Sequence, residues 1–96
     1  MINAETAAKN VMDYNVKFYS AVEATTNEVL ESMSKAIEFC SKGGLKSATF
    51  MPYTNSRYSN DRAKQIAKTI FEKVFKENGY TISENEISYN VLTIEW

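Results

Sequence analysis

Ala24-Thr25-Thr26-Asn27-Glu28 is the stretch that decides the fold. It sits in the middle of a run from Ile2 to Ser41 that contains no proline and no glycine. Within that run Val11, Phe18, Val22, Val29, Met33, Ile37 and Cys40 recur three, four or seven residues apart, the spacing of one helical face. Asn15 and Thr26 interrupt the stripe. Thr25 and Glu28 have the spacing of a capping box, so a second helix has a place to start. Two threonines lower helix propensity only modestly and do not break a helix by themselves. The segment therefore reads either as one helix of roughly 40 residues or as two helices meeting near Thr25. A single long helix would leave apolar surface exposed in so small a chain. It would then need a partner helix from another copy.

Outward from that run, Lys42-Gly43-Gly44 ends the helix, because glycine supplies the left-handed residue that closes a C-terminus. Lysine suits the negative end of the helix dipole. The following LKSATFMPY favours a strand through Thr49, Phe50 and Tyr53, with Pro52 at a sheet edge or outside the ladder. Ser59-Asn60-Asp61 offers caps for a further helix. Ala63, Ile66, Ala67, Ile70, Phe71, Val74 and Phe75 form its apolar face, and Lys64, Lys68, Lys73 and Lys76 lie away from it. Asn78-Gly79 closes it. The tail GYTISENEISYNVLTIEW reads as a β-hairpin. With Glu84-Asn85 as a two-residue turn, Ile82 would face Ile87 and Tyr80 would face Tyr89. The apolar phase flips between Val91 and Leu92. A β-bulge there, a wider loop over 84–90, or a final strand covered on both faces would each account for it.

The expected fold is α+β: one or two N-terminal helices, then β-α-β-β with a small three-stranded sheet over 45–53, 79–84 and 86–96, ending in the C-terminal hairpin. Residues 1–96 form a single domain, with 1–42 a helical packing and oligomerisation segment and 45–96 the β-α-β-β unit. A domain of this size builds one modest core and gains much from oligomerising. A homo-oligomer is expected, with Phe18, Val22 and Trp96 as interface residues. Phe18, Phe39, Phe71, Phe75 and Trp96 are expected to form one apolar mass.

The chemistry is bounded by what the composition lacks. There is no histidine, which removes the usual general base near neutral pH and the commonest metal ligand. The single cysteine, Cys40, lies on the apolar stripe and reads as structural. The carboxylates show no calcium-loop spacing, and Gly43-Gly44 is not a phosphate loop, since a helix precedes it. No catalytic residue, metal or cofactor is expected. The opening residues MINAETAAKN show no basic region followed by an apolar run, and no apolar stretch nears the roughly 18 residues that span a bilayer. The expectation is a cytoplasmic, membrane-free protein.

The net charge of −1 hides three blocks. Residues 1–41 hold three lysines against six carboxylates, residues 42–76 eight cations against two carboxylates, and residues 77–96 four carboxylates alone. The basic block contains Phe50–Arg62, with the only proline and the only two arginines of the chain. One reading is a strand-to-helix loop whose tyrosines pack and whose asparagines cap turns. The other is a ligand site: Arg57 and Arg62 would take phosphate, Tyr53 and Tyr58 would stack, Asn55 and Asn60 would read polar edges, and Lys64 and Lys68 would add field. Asp61 opposes an anion there unless it is turned away. Acidic blocks on both sides argue against a nucleic-acid track.

The order of motifs resembles small proteins encoded by tailed bacteriophages. The shared features are an alanine-rich helix opening, a helix ending at Gly43-Gly44 and an aromatic polar segment. A lysine-rich helix follows, then the strand start Gly79-Tyr80-Thr81-Ile82 and the terminal Leu92-Thr93-Ile94-Glu95-Trp96. The resemblance implies a phage origin and action in the host cytosol. It implies one of two roles. The first is a non-enzymatic accessory protein that holds an anionic small ligand, such as a signalling nucleotide, in counter-defence. The second is a virion component or an inhibitor that binds a host protein.

Overall fold

The computed structural model describes residues 1–54, 56–85 and 88–96. The ATTNE stretch does not divide the N-terminal run: α1 is one helix, Ala4–Lys42, 39 residues long. Asn3 opens it, its side chain accepting from the Thr6 backbone N–H at 2.8 Å. Thr26, at the centre, is fully buried, and its hydroxyl donates to the Val22 carbonyl at 2.7 Å. That local bond is compatible with a continuing helix, and burial of Thr26 makes this segment part of the core. Gly44, at φ +84°, closes α1. The Leu45 N–H then reaches back to the Cys40 carbonyl at 3.0 Å, satisfying a terminal acceptor.

The remaining elements are β1 (Ser47–Phe50), α2 (Asp61–Glu77), β2 (Thr81–Asn85) and β3 (Ser88–Glu95). The α+β order and the three-stranded sheet follow the sequence reading. The Asn60 side chain caps α2 by accepting from the Ala63 N–H at 2.9 Å. The buried face of α2 is Ala63, Ala67, Phe71 and Phe75, four apart. Gly79, also at φ +84°, ends it, and the Tyr80 N–H bonds the Phe75 carbonyl.

The sheet is antiparallel with the order β1-β3-β2. The last strand in sequence is thus the middle strand in space. The register pairs Ile94 with both Ala48 and Ile82, and Leu92 with both Phe50 and Glu84. Because side chains alternate across a strand, these two rows share the inner face, and Leu92 and Ile94 are the fully covered centre. The outer face carries Thr49, Thr93 and Ser83 in one row, with the two threonine hydroxyls 3.2 Å apart. Helix α1 lies over β1, α2 over β2, and the helices pack on one another.

The hairpin register departs from the expected one. Ile82 faces Ile94, not Ile87, and residue 87 lies outside the described residues. Glu84 pairs with Leu92 while Asn85 pairs with Ser88, so an irregularity sits where the apolar phase flips. The expected Glu84-Asn85 turn is not made, because both residues lie in β2, and the unpaired residues of β3 between Ser88 and Leu92 match the β-bulge offered for the phase flip. The reason is burial: this register puts both Leu92 and Ile94 on the helix side. Two other expectations are corrected. Phe39 is exposed on the far side of α1 and does not join the apolar mass, and Cys40 is half-buried.

Helix α1 is longer than the body it packs on. Its buried residues are Val22, Thr26, Val29, Met33 and Ile37. Upstream of Asn15 no residue is buried. The molecule measures 63 × 26 × 21 Å, and its radius of gyration is 16.8 Å. A compact chain of this length has a radius of gyration of about 12.5 Å. The difference is the arm, residues 4–14.

Candidate functional site

Five of the eight residues expected to gather around a ligand instead hold the body together. Tyr58 is 1 % exposed, and its phenol lies 3.0 Å from the Thr26 hydroxyl. The single proton of Thr26 goes to the Val22 carbonyl, so Tyr58 donates to Thr26. Tyr53 is buried against Tyr58 and Phe71, with ring centroids 6.1 and 5.8 Å away. Neither ring can stack on a nucleobase, because its faces are taken by the core. Asn60 is the α2 cap. Arg62 donates to the Asn15 side chain at 3.2 Å, and its guanidinium sits 4.8 Å from the centre of the Phe18 ring. Lys68 is ion-paired with Glu84 at 3.2 Å, joining α2 to β2.

Two of the rest are placed differently. Arg57 is exposed and has no ion pair among the described residues. It lies along α1 between two open grooves. One, of about 190 Å³, is lined by Phe18, Ala21, Val22 and Thr25 with Ser59 and Ala63; the other, of about 80 Å³, lies beside Met33, Met51 and Pro52. Both are small against the roughly 300–1,000 Å³ of an enclosing ligand pocket. Lys64 is half-buried on α2. Asn55 lies outside the described residues. The seven described residues therefore do not converge on one concavity.

Of the expected interface residues, Val22 is buried inside the chain and Phe18 is partly buried beneath Arg62. Trp96 is 37 % exposed and meets Tyr80 edge-on at 6.4 Å. Over Leu92–Glu95 strand β3 offers no free edge to another copy, because β1 and β2 bond it there on both sides.

The phenols are held neutral. Burial, then the charges of Glu84 and Glu72, pushes Tyr53 far above its ordinary range. Burial also raises Tyr58, opposed in part by its bond to Thr26 and by Arg57. Among the described residues no three carboxylate or cysteine side chains gather as a metal set, and no helix is long and apolar enough to cross a membrane.

The apolar surface is elsewhere. Val11 is 59 % exposed, Met12 67 % and Tyr14 62 %. Ala4, Ala8, Val11, Asn15, Phe18 and Val22 are spaced by four, three, four, three and four, so the arm continues the stripe that packs on the body. The stripe was legible as periodicity. What the periodicity did not show is that the body stops covering it at Asn15. No family model, curated protein or solved structure matches this chain.

Proposed function

We propose that this chain is a non-enzymatic protein-binding module whose working surface is the arm of α1. The observation that carries this reading is the exposure of Val11, on the stripe that buries Val22, Val29 and Met33 farther along, with Met12 and Tyr14 exposed on either side of it. An apolar face of this kind normally marks an interaction surface. Such a helix alone is marginal: isolated helices shorter than about 12–15 residues are barely stable in water. For a phage protein, which the resemblance implies, the role is that of a virion component or of a factor gripping a host protein. The ligand-holding alternative has weaker support, since the tyrosines, Asn60, Arg62 and Lys68 are already engaged. Arg57 and its two open grooves are what remain to it.

A thermal-shift panel of mono-, di- and cyclic nucleotides with inorganic phosphate separates the two. The protein-binding reading expects an unchanged midpoint. A bound ligand at 100 times its Kd would stabilise the fold by about 2.7 kcal/mol, a rise of roughly 10 °C or more. Such a rise, abolished by Arg57→Ala, would overturn the protein-binding reading in favour of an anion site.

A further inference from the structure

We infer that Asn78-Gly79 is a latent self-modification site, at which the C-terminal cap of α2 holds off a cyclisation of backbone onto side chain that opening of the cap releases. The site is independent of what the arm binds.

The chemistry is that of the residue pair. The backbone nitrogen of the residue after an asparagine can attack the side-chain carbonyl carbon. A C–N bond forms and closes a five-membered imide. The bond to the side-chain nitrogen breaks, and ammonia leaves with the proton of the attacking nitrogen. Water then opens the ring at either carbonyl, leaving an aspartate or a main chain rerouted through the side chain. A side chain on the following residue hinders the attack, so glycine there favours it most. Asn78 is the one asparagine of nine that glycine follows, and it is exposed to the water that completes the reaction.

The fold opposes ring closure in three ways. Closure needs the Gly79 nitrogen turned to the side of the Asn78 β-carbon. At ψ 11° that nitrogen instead nearly eclipses the backbone nitrogen of Asn78. The side chain is drawn back along the helix, its Nδ2 donating to the Val74 carbonyl at 2.7 Å. A carbonyl only accepts, so the amide nitrogen is the atom that faces it. The attacking nitrogen is engaged as well, its N–H donating to the Lys76 carbonyl at 3.1 Å.

These bonds belong to a cap fastened to the core. The Tyr80 N–H reaches the Phe75 carbonyl at 2.9 Å, which with the Gly79 bond makes the paired closure of a glycine-ended helix. The Tyr80 ring meets Phe75 edge-on at 5.6 Å and Trp96 at 6.4 Å. A frayed helix end opens at almost no cost; this one must first part Tyr80 from Phe75. The product does not restore the cap. An aspartate at 78 sets negative charge at the negative end of the helix dipole, next to Glu77 and on the same groove as Glu31. It also has no N–H for the Val74 carbonyl. A passing opening thus becomes a lasting one, and the site is a one-way record of unfolding at this end of α2.

The test follows conversion at each asparagine by peptide mapping of the full chain, kept at one mildly alkaline pH either folded or unfolded in urea. Folded Asn78 should convert at least about tenfold more slowly than unfolded Asn78, the effect of an opening that costs about 1.4 kcal/mol. In urea Asn78 should convert faster than every other asparagine of the chain. Phe75→Leu, shown to be folded by a cooperative change in Trp96 fluorescence, loosens the contact under Tyr80 and should speed conversion without urea. Asn78→Asp should lower the thermal midpoint. Equal rates in the folded and the urea-unfolded chain overturn the closed state. An Asn78 no faster in urea than the other asparagines overturns the site. An unchanged rate in folded Phe75→Leu overturns gating by this cap, and an unchanged midpoint in Asn78→Asp overturns the lasting opening.

Discussion

Thr26 and Tyr58 illustrate what single residues do in this fold. Thr26 looked like an interruption of the stripe, and Tyr58 like an exposed binding group. Together they form the buried polar contact that anchors the loop to the middle of α1. Thr26→Val leaves the Tyr58 hydroxyl buried without an acceptor and should cost about 1–3 kcal/mol. Tyr58→Phe should cost about 1 kcal/mol, and the double variant should recover part of the Thr26→Val loss. Urea unfolding of the four proteins closes that cycle; additive losses would mean that the pair is not coupled. Tyr53 behaves in the opposite way. Its buried hydroxyl has no hydrogen-bond partner among the described residues. Tyr53→Phe removes an unsatisfied polar atom and should leave stability unchanged or raise it by up to about 1 kcal/mol. The phenols also set an alkaline limit. Their folded pKa values lie above the unfolded value, so their contribution is complete below about pH 10 and is lost as pH rises beyond it. Tyr53→Phe should therefore flatten the decline in thermal midpoint above pH 10.

At the scale of elements, the two helices owe their stability to different things. Helix α2 is held by Phe71 and Phe75 against the sheet, and Phe71 is fully buried. Phe71→Ala should cost about 3–5 kcal/mol. That is a large share of the roughly 5–15 kcal/mol available to a small domain, and loss of the cooperative circular-dichroism transition would register it. Both helix ends were legible, because Asn60 at one end and glycine after the other have chemical reasons to be there. Gly44 at φ +84° has open space around its α-carbon. The cost of Gly44→Ala is therefore backbone strain alone, about 1–2 kcal/mol. The hairpin register was not legible. Glu84-Asn85 is an acceptable turn locally, and only the demand for two inward residues on β3 shifts the pairing. Helix α1 has no tertiary contact to stabilise its first turns. Its amides over 5–14 should exchange faster than those of Val29–Ile37 in hydrogen–deuterium exchange of the full chain.

For the whole molecule, the sequence by itself determined the element order and the single α+β core. It also determined the absence of histidine chemistry and the apolar stripe along the N-terminal run. These follow from local propensity, capping and periodicity, which act between near neighbours. Three matters were decided only in three dimensions. ATTNE became the middle of one helix because Tyr58, 32 residues away in sequence, supplies a partner for Thr26. Five residues of the proposed ligand set became structural because the loop folds inward onto Phe71 and Phe18. The stripe became half core and half surface because the body is shorter than the helix. Periodicity marks which face of a helix seeks cover; only the packed structure shows how much of that face the same chain can reach.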